Sequence, residues 1–106
     1  ELDYYANEFR RVGFSGGINY YRNSARNWDL TSSLAGARIQ QPALFIAGEL
    51  DIVNRGATVA ELRKVNQPNF VELHDVILIP GVGHRNQQQA PLETNTLLLD
   101  FLHSLR

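Results

Sequence analysis

Two residues in this chain stand where acid–base chemistry could be done. Asp51 closes the segment Gly48-Glu49-Leu50-Asp51 just after the apolar run Ala43 to Gly48, and His84 closes Pro80-Gly81-Val82-Gly83-His84 just after the run Val76 to Ile79. A carboxylate can bond one ring nitrogen of an imidazole, fix its tautomer and stabilise the imidazolium that forms during catalysis. The imidazole would then serve as a general base toward water or a nucleophile. The residue types alone leave blander roles open: a loop histidine bonded to backbone, and an aspartate capping a helix. The third feature is aromatic, Asn19-Tyr20-Tyr21-Arg22-Asn23 followed by Trp28. A phenol, with a pKa of about 10, is protonated near neutrality and can donate, and the same rings can equally serve as packing.

The remaining chemistry-bearing residues carry less. His74 lies beside Asp75 ahead of the second apolar run and reads as exposed. His103 falls in the last turn of a closing helix, where a cation suits the helix dipole. No histidine is spaced with carboxylates as metal ligands are. Gly81-Val82-Gly83 is too short to cradle a phosphate. Neither a metal nor a cofactor is expected.

The elements that must position Asp51 and His84 follow from the apolar pattern. Leu2, Tyr5, Phe9 and Val12 recur at helical steps and Gly13 ends them. Phe14-Ser15-Gly16-Gly17 reads as a turn, its glycines suited to positive φ. Ile18 to Leu34 reads as short helices, and Ala35 to Gln41 as a polar connection ending at Pro42. Ala43 to Gly48 has no alternation, as expected of a parallel strand covered on both faces. Ala57 to Asn66 presents Val59, Leu62 and Val65 on a helix face; Val76 to Ile79 is a second buried strand. Pro91, tolerated in a first turn, opens a helix with Leu98, Phe101, Leu102 and Leu105 on one side. Strand–helix–strand–helix implies a right-handed crossover and a parallel pair, so both loops leave the sheet on the same side. That is the side where open α/β sheets gather ligands.

Composition narrows the classes. The 106 residues hold ten Lys and Arg against eleven Asp and Glu, a net charge of −1 with no basic run, so no nucleic acid partner is expected. Cysteine is absent, which excludes disulfides and thiol chemistry. No apolar stretch is long enough for a membrane span. A soluble protein with a cytoplasmic setting is the expectation. Methionine is also absent and the chain opens inside an amphipathic pattern, so a piece of a longer protein is expected. Two parallel strands leave open edges, and the strands that would complete the sheet are expected upstream.

Together, FRRVGFSGGINYYRNSARNW (Phe9 to Trp28), PALFIAGELD and IPGVGHRNQQQAPLETNTLLLDFL resemble the C-terminal part of an α/β-hydrolase-fold epoxide hydrolase over essentially the whole chain. Gly-x-x-x-Tyr-Arg-Asn, from Gly17 to Asn23, is the specific part. The resemblance implies an α/β fold in which residues 1–34 are the last helices of the lid, or cap, and 35–106 are the closing βαβα part of the core. It implies an epoxide and water as reactants, converted to a vicinal diol through a covalent alkyl-enzyme ester. By matching position, Tyr21 would bind and protonate the epoxide oxygen, Tyr20 would pack or line the substrate pocket, Asp51 would orient His84, and His84 would activate water. The aspartate nucleophile, the oxyanion-hole donors and a second tyrosine would come from the upstream half of the same hydrolase; Asp3, Asp29, Asp75 and Asp100 do not stand in an elbow context. Arg85 departs from the resemblance, since such enzymes often carry an aromatic after the base. A homodimer is compatible with this reading.

Two other classes share these features. A haloalkane or haloacetate dehalogenase, or an esterase, on the same scaffold would use the same acid and base, and Tyr21 separates them because a halide wants Trp or Asn donors. A non-catalytic α/β domain binding a small apolar ligand would need neither His84 nor Asp51.

Overall fold

The computed structural model describes residues 1–54 and 56–106, which fall into two compact units, Glu1–Ala35 and Gly36–Arg106. The first unit is helical: α1 (Leu2–Val12), α2 (Ser15–Arg22), α3 (Ser24–Leu30) and a 3-10 turn, Ser32–Leu34. The turn expected at Phe14–Gly17 is instead the start of α2. Gly13 takes the positive φ, 71°, and its N–H bonds Phe9 O at 2.8 Å to close α1. Gly16 and Gly17 sit in the first turn of α2, where glycine is a poor helix former but clashes with nothing. None of these helices buries a residue.

The second unit runs β1 (Ala43–Gly48), α4 (Val59–Asn66), a 3-10 turn at Gln67–Asn69, β2 (Leu73–Ile79), α5 (Asn86–Gln89) and α6 (Pro91–Ser104). The mixed α/β class is as expected, and β1 and β2 pair in parallel from Ala43↔Leu73 to Gly48↔Ile79. Two boundaries and one connection differ. The second strand begins at Leu73, so His74 and Asp75 lie within it; His74 stays exposed and sets its ring edge-on to Phe101 at 5.5 Å. Leu73 and Val76 are buried but His74 between them is exposed and Asp75 half-buried, so two polar positions interrupt the apolar run used to recognise the strand. The crossover helix begins at Val59, because Thr58 and Glu61 form a capping box: Glu61 N–H donates to Thr58 Oγ1 (3.3 Å), and Thr58 N–H to Glu61 Oε2 (2.8 Å). The polar connection is partly ordered by pairing, with Ile39 bridged to Phe70 in parallel through Ile39 N–H to Asn69 O and Val71 N–H to Ile39 O, both 2.9 Å.

Two small apolar clusters hold the second unit. Leu62 of α4 packs with Leu73 and Val76 of β2, joined by Ala43, Phe45, Phe70 and Leu78. Ile79, Val82 and Ala90 pack with Ile46 and Leu97, anchoring the loop after β2 and the start of α6 to the sheet. Thr94 of α6 is buried and donates to Asn86 O at 3.2 Å. The first cluster fixes the crossover, and the second fixes the strand ends that carry Asp51 and His84.

Candidate active site

The register Gly48↔Ile79 ends both strands at one level, so their loops leave side by side. The backbones then touch. Leu50 N–H donates to Val82 O (2.8 Å) and Glu49 N–H to Ile79 O (3.0 Å). Glycine is required at 48, because a Cβ there would overlap the carbonyl groups of Val82 and Gly83. Gly81 adopts φ 69°, the left-handed region that turns the chain sharply off β2.

This approach brings Asp51 and His84 together. His84 Nδ1 lies 3.1 Å from both Asp51 Oδ1 and Oδ2. The Asp51 side chain is 10 % exposed while that of His84 is 57 % exposed, so the acid is sheltered and the imidazole open. Asp51 also accepts the Val53 N–H at 2.8 Å, an Asx turn that orients the carboxylate from its own loop. That backbone hydrogen bond is the largest influence holding the Asp51 carboxyl below its ordinary value. Burial opposes it, and the hydrogen bond and charge attraction of His84 add to the lowering. A carboxylate that stays ionised can only accept, so Nδ1 is the donor, and the neutral tautomer that fits this contact carries its lone pair on Nε2.

Side chains that sequence reading passed over hold the His84 loop. Glu49 Oε2 accepts the Gly81 N–H at 2.9 Å, and Gln89 Oε1 accepts the Gly83 N–H at 2.7 Å. Asn86 Nδ2 reaches Ile46 O on β1 at 3.5 Å. These are exposed or half-buried polar residues in loops and a one-turn helix, where no periodicity marks them.

Tyr20 and Tyr21 lie on α2, in the other unit. Both are largely exposed, 81 % and 76 %, with rings edge-to-face at 5.8 Å. Arg85, next to His84, is exposed, and its backbone carbonyl accepts the N–H groups of Gln88 and Gln89, both at 2.9 Å. Two open grooves mark the second unit. One of about 440 Å³ is lined by Ile77 to Pro80 with Leu92, Glu93, Thr96 and Leu97, and a smaller one by residues including Leu44, His74 and Phe101; neither includes Asp51 or His84. Among the described residues no three His, Asp or Glu side chains cluster as metal ligands, and no helix is long and apolar enough to cross a membrane.

The chain is 45 % identical over 105 residues to epoxide hydrolase A of Mycobacterium tuberculosis, covering 99 % of this chain and 31 % of that protein. It is 35 % identical over 106 residues to epoxide hydrolase 2 of Siraitia grosvenorii, covering 96 % of this chain and 33 % of the relative. In structure it superposes on epoxide hydrolase I of potato, Solanum tuberosum, with a TM-score of 0.83 at 34 % identity over 98 % of this chain and 33 % of that one. The chain is homologous to epoxide hydrolases of the α/β-hydrolase fold. Epoxide hydrolase A from Mycobacterium thermoresistibile superposes equally well, with a TM-score of 0.82 at 47 % identity. The chain spans about one third of the length of these epoxide hydrolases. No protein-family model matches it.

Proposed function

We propose that this chain supplies the acid–base half of an epoxide hydrolase site that makes vicinal diols. The observation that carries the reading is the contact of His84 Nδ1 with both oxygens of a sheltered, ionised Asp51 at 3.1 Å. On this reading residues 1–34 are the closing helices of a lid and 35–106 the closing part of the core. A carboxylate nucleophile outside these 106 residues attacks an epoxide carbon, the ring C–O bond breaks, and the Tyr21 phenol protonates the departing oxygen. This relieves charge where it develops and leaves an alkyl-enzyme ester. Water then adds to the ester carbonyl while His84 Nε2 takes its proton, with Asp51 stabilising the imidazolium. Collapse of the adduct releases the diol and restores the carboxylate, and the His84 proton returns to the tyrosinate. Overall, epoxide and water become diol. Splitting the reaction through the ester makes two easier steps out of one difficult one.

The test uses the full-length protein that carries this segment, offered styrene oxide beside haloalkane and ester substrates. Diol is the expected product, and His84→Gln should accumulate a covalent ester visible by mass spectrometry. Halide release without diol would move the reading to a dehalogenase. Biological function unchanged in both His84→Gln and Asp51→Asn would leave only a ligand-binding domain.

A further inference from the structure

The loop that presents His84 is irregular, yet two side chains from outside it hold its backbone. Glu49, two residues before Asp51 in the opposite loop, takes the Gly81 N–H at 2.9 Å. Gln89, at the end of α5, takes the Gly83 N–H at 2.7 Å, and its Oε1 lies 3.2 Å from where a Cβ on Gly83 would stand. Glycines at 81 and 83 give this loop more backbone freedom to lose than any other residues would. An acceptor on each side removes that freedom immediately before the base.

We propose that Glu49 and Gln89 are positioning residues for His84: by fixing the Gly81 and Gly83 N–H groups they hold the imidazole against Asp51. The proposal rests on the epoxide hydrolase reading above. Neither side chain touches a reacting atom, so their effect falls on one step. Ester formation does not use the imidazole, whereas ester hydrolysis does.

The experiment is single-turnover kinetics on the full-length protein with styrene oxide, quenching at intervals and following the ester by mass spectrometry. Gln89→Leu, which keeps bulk and loses the acceptor, should slow ester decay about tenfold or more while formation stays within about twofold, as a small misplacement of a catalytic group does. Gln89→Glu keeps an acceptor oxygen and should return decay to within about threefold of the parent. Glu49→Leu and Glu49→Gln repeat the comparison from the other side of the loop and decide the matter where Gln89→Leu does not fold. Unchanged decay in the leucine variants overturns the proposal, as does equal slowing by leucine and acceptor-keeping variants, or slowing of both steps together. His84→Gln run alongside separates the two levels. If it does not accumulate ester, the epoxide hydrolase reading itself falls; if it does, and the leucine variants behave as the parent, only the positioning roles fall.

Discussion

At the scale of the residue, the pair depends on Asp51 remaining charged. Its carboxyl is held below its ordinary value of 3.8, first by the Val53 N–H and then by His84, against the opposing effect of burial. A folded-state value below the unfolded one contributes stability that is present above about pH 4 and is lost as pH falls through the folded value. Asp51→Asn should therefore lower denaturant stability at pH 7, with the gap from the parent closing toward pH 3; a gap independent of pH would remove the electrostatic account. The same substitution in the full-length protein should slow ester hydrolysis by about 10²- to 10⁴-fold, read from ester decay, because an amide no longer enforces the Nδ1–H tautomer. The meeting of Asp51 and His84 was legible in the sequence because loops after two parallel strands leave on the same side, and glycine punctuation showed where the strands stop. Glu49 and Gln89 were not legible. Their hydrogen bonds go to the Gly81 and Gly83 N–H groups, which only the folded loop brings within reach.

At the scale of the element, local chemistry sets the boundaries more sharply than apolar periodicity does. Thr58 and Glu61 start α4 through a reciprocal cap, and the Glu61 carboxyl is lowered chiefly by the Thr58 N–H and then by its hydroxyl. Thr58→Ala should cost about 1 kcal/mol of stability, measured by denaturant unfolding. The Thr-x-x-Glu signature is visible in the sequence; a helix begun at Ala57 followed hydrophobic spacing and passed over the cap. Gly16 and Gly17 teach the opposite lesson. Glycine pairs usually mark turns, but here the positive φ falls at Gly13, and the pair lies in a helical first turn with nothing within 4 Å of an added Cβ. Gly17→Ala should raise helix content by circular dichroism and add about 0.5–1 kcal/mol of stability. Gly48→Ala should do the reverse. Its methyl would strike the Val82 and Gly83 carbonyls, costing about 1–3 kcal/mol. It should also abolish the low-field proton resonance expected of the His84 Nδ1–H bonded to Asp51.

At the scale of the whole molecule, the apolar residues exceed what these elements can bury. Val76, the most sheltered hydrophobic residue named in the core, retains 3 % exposure, while Leu2, Tyr20, Trp28 and Ile52 are about four-fifths exposed. Apolar surface left in water is open to an apolar ligand. The isolated 106-residue chain should accordingly bind an apolar dye such as ANS, and amides in α1–α3 should exchange with solvent faster than those of β1 and β2. The parallel pair and its crossover were legible because two unbroken apolar runs flank a helical period. The start of α2 at Ser15 was not, because glycines at 16 and 17 read as a turn. Gly48 has one last consequence. Acid and base are gauged against each other by main chain resting on main chain, whereas the side chains of Leu50, Ile52 and Val53 around them remain 64 %, 81 % and 67 % exposed. Substitutions at those three positions can therefore change the surface beside Asp51 and His84 while the main-chain contact of Gly48 with Val82 and Gly83 keeps the pair in register.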